Sequence, residues 1–98
     1  MIALDSNNFQ DFISSEVTTV IVDIWMPGCE PCKKLVPVLD ELEREHKVTI
    51  GKLNASENLE LAASLGVRTV PTMLIYKNGN LCNKLYGYKT KEEILNHL

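Results

Sequence analysis

The sequence is short of the residues that mark several protein classes. Its 98 residues include only 5 glycines and 4 prolines, and aromatic side chains make up 6%. With an apolar share of 45%, that composition excludes collagen-like, low-complexity and disordered chains. No apolar run approaches the roughly 18 residues of a membrane span. Basic residues are not in excess: 10 Lys and Arg stand against 13 Asp and Glu, a net charge of −3. Residues 1–40 hold six acids and only Lys33 and Lys34, while residues 41–98 hold seven acids and eight bases. The chain therefore lacks the basic stripe that releases counterions from nucleic acid and the polybasic segment that an anionic membrane attracts. Met1 to Phe9 carries Asp5 and no Lys or Arg, so no signal peptide is expected and a cytoplasmic address is the default. Cysteine is also scarce, at three residues. In a reducing compartment, so few thiols point to catalysis or metal ligation before structural cross-links.

What the sequence does contain is a steady alternation of elements. Its length implies one domain over residues 1–98. The folded surface should be roughly 5,600 Å² against about 16,000 Å² unfolded, enough burial for a core without staples. Ser6-Asn7-Asn8 offers cap oxygens before Phe9, Phe12 and Ile13, which predicts a helix over about residues 7–15. Val17 to Trp25 is β-branched and almost continuously apolar, as in a strand covered on both faces. From Glu30 to about His46, Leu35, Val38, Leu39 and Leu42 keep helical spacing. Pro31 suits the first turn of that helix, and Pro37 should kink its interior.

Val48 to Leu53 reads as a strand. Ser56 is the candidate cap of a short helix carrying Leu59, Leu61, Ala62 and Leu65, with Gly66 as its C-terminal stop. Thr72 to Tyr76 and Leu81 to Tyr86 form a hairpin about Asn78-Gly79. Thr90 and Glu93 make a capping box for a last helix ending near Leu98. With a short edge strand at Ile2–Leu4, the pattern is a three-layer α/β/α sandwich: a central mixed sheet of four to five strands flanked by four helices. Strands separated by helices should run parallel, and the hairpin should add the antiparallel strand.

The chemistry gathers at Cys29-Glu30-Pro31-Cys32, where a strand meets the kinked helix. A helix start surrounds the first sulfur with free backbone N–H groups and the positive end of the dipole, and holds the second sulfur within bonding distance. A thiol of pKa near 8.5 is only about 3% ionised at pH 7, but about half ionised if the pKa falls to about 7. Cys29 then suits attack, and the more sheltered Cys32 suits resolution. Three plainer readings compete: a structural disulfide, a zinc site and two incidental thiols. Zinc needs four ligands at suitable spacing, and Cys82, His46 and His97 are scattered.

Asp23 interrupts the apolar strand six residues before Cys29. It is either a strand-end acid in contact with water or a buried proton acceptor for Cys32. Lys52 is either its charge partner or a surface lysine with a buried stem. Val70-Pro71 opens a strand, where proline is tolerated, and the generic expectation for that bond is trans. Cys82 reads as a small half-buried hydrophobe, and His46 and His97 as surface residues near helix ends.

The run from Val22 through Trp25, Gly28 and Cys29 to Lys33 resembles the thioredoxin active-site stretch. Pro37, Val67 to Thr72, Tyr76 to Gly79 and Gly87 match the same family at consistent spacing, so the likeness spans essentially the whole chain. The resemblance implies the thioredoxin fold and thiol–disulfide exchange, with Cys29 as nucleophile, Cys32 as resolving thiol, Asp23 as buried acid and Lys52 as its neighbour. It implies a cis bond before Pro71 and a docking patch of Gly28, Pro31, Val70, Pro71 and Gly87, with Trp25 retained. It also implies a flavin-containing thioredoxin reductase and disulfide-containing proteins as partners. For so short a chain a monomer is the default expectation. No bound cofactor or metal is expected, because the two sulfurs carry the electrons.

Two positions depart from the family pattern. Gly28 stands where a tryptophan is usual, and Glu30 where a glycine is. Losing the tryptophan removes a large rigid contact surface. A carboxylate beside Cys29 should disfavour its thiolate, shift the redox poise and select partners with a basic rim. Two other functions remain open: a glutathione-linked or single-partner reductant, and a binding subunit of this fold that needs no redox chemistry.

Overall fold

The apolar stretch predicted as a doubly covered strand lies at the centre of the sheet. The computed structural model describes residues 1–98. Its elements are β1 (Ile2–Leu4), α1 (Phe9–Ile13), β2 (Thr19–Trp25), α2 (Glu30–Glu45), β3 (Val48–Asn54), α3 (Leu59–Ser64), β4 (Thr72–Lys77), β5 (Asn80–Tyr86) and α4 (Lys91–Leu95). The strands form one mixed sheet in the order β1-β3-β2-β4-β5. The accessible surface is 5511 Å², close to the value expected from chain length.

Alternation along β2 divides the core in two. Val20, Val22 and Ile24 pack with Phe9, Ile13, Ala62 and Leu74 beneath α1 and α3. Ile21 packs with Leu35, Leu39, Leu42, Met73, Ile75 and Ile94 beneath α2 and α4. Leu35, Leu39 and Leu42 are the i, i+4, i+7 stripe of α2, and all three are fully buried. Truncating any of them to alanine should cost about 2–5 kcal/mol. Pro37 sits inside this continuous helix, so the Lys33 carbonyl lacks its usual donor four residues on.

One strand runs against expectation. β1 and β2 lie parallel to β3, but β4 is antiparallel to β2, with Thr72 opposite Ile24. The reason is length. The six residues of α3 span about 9 Å at 1.5 Å per residue. Returning along a strand of seven residues takes about 23 Å. The chain therefore enters β4 from the end of the sheet at which β2 and β3 finish. That reversal brings residues 70–71 to the end that carries Cys29.

Caps and turns agree with the sequence where they are local. Asn78 and Gly79 have φ of 54° and 79°, as the mirror-image hairpin turn requires. The Thr90–Glu93 capping box is complete: Glu93 N–H donates to Thr90 Oγ1 at 3.2 Å, and Thr90 N–H to Glu93 Oε1 at 3.0 Å. Three expectations fail. Ser56 does not cap α3, because its N–H and hydroxyl both donate to Asn54 Oδ1 in the turn after β3. The cap position is Asn58, which donates from Nδ2 to the Asn54 carbonyl instead of capping the helix. α1 is shorter than predicted, because Asn8 turns back, with Nδ2 donating to Ala3 O and Oδ1 accepting from Asp5 N–H. The last helix ends at Leu95, short of Leu98.

Candidate active site

Residue 29 is the N-cap of α2, which explains why a sulfur belongs there. Cys29 has extended backbone (φ −86°, ψ 106°), and its Sγ accepts the Cys32 N–H at 3.2 Å. An amide aimed at the sulfur, together with the start of a sixteen-residue helix, favours negative charge on it. Cys29 and Cys32 are joined in a disulfide with a Cα–Cα distance of 5.2 Å. Cys29 is half-buried, whereas Cys32 is 3% exposed. No three His, Cys, Asp or Glu side chains gather to hold a metal ion.

The loop before the pair is closed by the Cys29 N–H, which donates to the Met26 carbonyl at 3.4 Å. Gly28 has φ +81°, a conformation that costs other residues roughly 1–2 kcal/mol. A Cβ there would meet nothing within 4 Å, so backbone conformation, not crowding, disfavours a side chain. Pro31 is exposed in the first turn of α2. Glu30 is exposed and lies 3.3 Å from Lys33 Nζ, so a cation partly offsets its charge beside Cys29.

Asp23 is fully buried on the α2 side of β2, and neither carboxylate oxygen has a hydrogen-bond partner. Burial pushes its pKa from 3.8 up to about 6, against the opposing pull of the Lys52 ammonium. Lys52 is opposite Asp23 in the register of β2 and β3. It does not pair with the carboxylate directly. Its Nζ lies 4.9 Å from the Trp25 ring centroid, a cation–π contact, and reaches Asp23 only through the longer-range field. The Trp25 Nε1–H is likewise buried without a partner. A cleft of about 100 Å³, lined by Trp25, Gly28, Cys32, Val36 and Lys52 among others, connects the buried sulfur to the lysine beside Asp23.

The Val70–Pro71 bond is cis, as the family likeness implied and the generic expectation did not. Pro71 is buried and Val70 half-buried. Gly87 N–H donates to the Pro71 carbonyl at 2.8 Å, and Thr72 Oγ1 donates to the Thr69 carbonyl at 2.7 Å, so this corner is tied on both sides. Gly87 follows β5, whose Tyr86 lies opposite Thr72. Residues 23–32, 52, 70–71 and 87 thus converge on one end of the sheet. Cys82 stands apart and is exposed, not half-buried. Ile75 faces Asn83 and Tyr76 faces Leu81, so Cys82 is the extra residue of a bulge on the edge strand. Leu59, the first residue of α3, is 68% exposed.

The thioredoxin family model matches residues 1–98. The chain belongs to the thioredoxin family. It is 39% identical over 93 residues to a thioredoxin of Alicyclobacillus acidocaldarius, covering 93% of this chain and 88% of the relative. It is 42% identical over 77 residues to a thioredoxin of Bacillus subtilis, covering 76% and 74%. A thioredoxin variant from Halobacterium salinarum has the same fold, with a TM-score of 0.90 at 25% identity, over 97% of this chain and 84% of that one. Thioredoxins are protein-disulfide oxidoreductases, and this member carries the redox pair Cys29–Cys32.

Proposed function

We propose that this thioredoxin is a general protein-disulfide reductase acting in the cytoplasm as a single-domain monomer. The observation that carries the reading is the asymmetry of the pair: a partly open Cys29 sulfur at a helix start, backed by a buried Cys32. In the dithiol form, the Cys29 thiolate attacks one sulfur of the target disulfide. A Cys29–target bond forms, and the other target sulfur leaves and takes up a proton. Cys32 then loses its proton and attacks Cys29 Sγ. The Cys29–Cys32 bond forms, the second target thiol is released, and two electrons have passed to the target.

Asp23 is the acceptor for the Cys32 proton. With a pKa of about 6 it is about nine-tenths ionised at pH 7, yet basic enough to hold a proton briefly. Lys52 holds the field around it. A flavin-containing thioredoxin reductase returns the two electrons, so no cofactor need be bound. The target chain lies along Val70 and Pro71 as a short added strand, with Trp25, Gly28, Pro31 and Gly87 around it. Glu30 tunes the poise, which should be readable as a changed reduction potential in Glu30→Gly.

Gly28 supports a narrower second reading, a reductant dedicated to one partner or linked to glutathione, because the large surface usual at that position is absent. A redox-independent binding role would need none of this sulfur geometry. The deciding experiment is dithiothreitol-driven reduction of insulin by wild type and Cys29→Ser. Fast turnover lost in the variant supports the general reductase. Slow wild-type turnover with a reactive Cys29 thiol supports the dedicated one.

A further inference from the structure

A recess shares Trp25 and Lys52 with the cleft over Cys32 but opens toward the edge strand β1. Its volume is about 250 Å³, and Ile2, Ala3, Asn54 and Asn58 complete most of its wall. Drug-sized ligands need roughly 300 Å³ or more, so this space suits a smaller molecule.

The wall carries one charge left over. Lys52 takes part in none of the ion pairs, and its Nζ rests over the Trp25 ring, 4.9 Å from the centroid. The Trp25 Nε1–H is buried without a partner. The other charged groups on the rim are engaged: Glu57 accepts from Asn54 Nδ2 at 2.9 Å, and the Met1 ammonium pairs with Glu43 at 2.9 Å. The unsatisfied groups are thus donors, which suit an anion, while Ile2, Ala3 and the indole offer apolar contact.

Strand register ties the recess to the reaction. Ala3, Lys52 and Asp23 stand side by side on β1, β3 and β2. Adjacent strands lie about 4.8 Å apart, so an anion held between Ala3 and Lys52 is within about 10 Å of Asp23. Lys52 is the one charge that acts on the Asp23 carboxylate. An anion on Lys52 offsets that influence, and Asp23 then holds its proton more tightly.

We infer that this recess binds a small carboxylate with a short apolar tail, and that the bound anion slows the resolving step through Lys52. The second half rests on the oxidoreductase reading, and the first half does not.

The binding test titrates the reduced protein with hexanoate, hexanol and hexylammonium, read by the fluorescence of Trp25, the only tryptophan. Hexanoate should saturate with a Kd at least about tenfold below that of hexanol, and hexylammonium should bind weakest. Lys52→Met should weaken hexanoate about tenfold and leave hexanol unchanged. Ala3→Leu, which fills the recess from an exposed position, should abolish binding of both. In stopped-flow kinetics, saturating hexanoate should slow resolution about threefold at pH 6 and hardly at pH 8, where Asp23 is ionised with or without the anion. Ala3→Leu should resolve at the wild-type rate and ignore hexanoate. Hexanol binding as tightly as hexanoate, or hexanoate binding undiminished in Ala3→Leu, overturns the site. Saturable binding with an unchanged resolving rate at pH 6 overturns the coupling. A wild type that binds hexanoate but never resolves a mixed disulfide would overturn the oxidoreductase reading instead.

Discussion

Asp23 and Lys91 both carry charge on the α2 side of the molecule, and the fold treats them in opposite ways. Lys91, at the start of α4, donates to Glu41 Oε1 at 2.7 Å and Glu45 Oε1 at 2.9 Å across to α2. Those hydrogen bonds raise the pKa of Lys91 and lower that of Glu45. Asp23 has no hydrogen-bond partner, lies in the sheet interior and has its pKa raised by burial. One group is satisfied and sits where chain elements must be joined. The other is left without a partner, in the strand that leads into the loop before Cys29. Stability is given up at the second place and gained at the first, which is a physical signature of a site as against a scaffold.

The largest way to break the contrast is to neutralise Asp23. A carboxyl whose pKa rises from 3.8 to about 6 on folding destabilises the native state by about 3 kcal/mol once ionised. The sign follows from proton count. Between those values the folded chain holds a proton that the unfolded chain has lost, so this contribution to stability falls as pH rises and the cost is complete above about pH 6 to 7. Asp23→Asn should therefore raise the urea midpoint strongly at pH 8 and hardly at pH 3.5. It should also slow resolution of the mixed disulfide by about tenfold or more at pH 7. Equal urea midpoints of wild type and variant at pH 8 would show that the carboxylate is not stranded.

A smaller effect sharpens the comparison by removing the one cation that the carboxylate feels. Lys52→Met should move the Asp23 pKa above about 6, because the only opposing influence is lost. The pH profile of the resolving step should shift to higher pH with it, as read by stopped-flow kinetics. The smallest effect belongs to Lys91→Met. Breaking an exposed pair of contacts should lower the melting temperature slightly, less so in high salt, and leave disulfide reduction unchanged.

How much of this was legible in the sequence depends on the distance over which each feature is decided. The hairpin at Asn78-Gly79 and the Thr90–Glu93 box are local, and they fold as read. So does the placement of Cys29 and Cys32, because a cap followed by Pro31 sets one turn of helix. Ser56 fails because Asn54, two residues away, competes for the same hydroxyl. Cys82 fails because a bulge is settled by the partner strand, not by the residues around the cysteine.

The sequence by itself determined the periods, the caps, the turn residues and the reactive pair, because those follow from backbone sterics and hydrogen bonding within a few residues. Tertiary structure alone decided that β4 runs antiparallel, that Lys52 lies over Trp25 instead of pairing with Asp23, and that Leu59 and Met26 stand open beside the site. Each of those depends on which distant segments reach the same end of the sheet. That is set by packing two apolar layers around β2 and by a helix too short to carry the chain back.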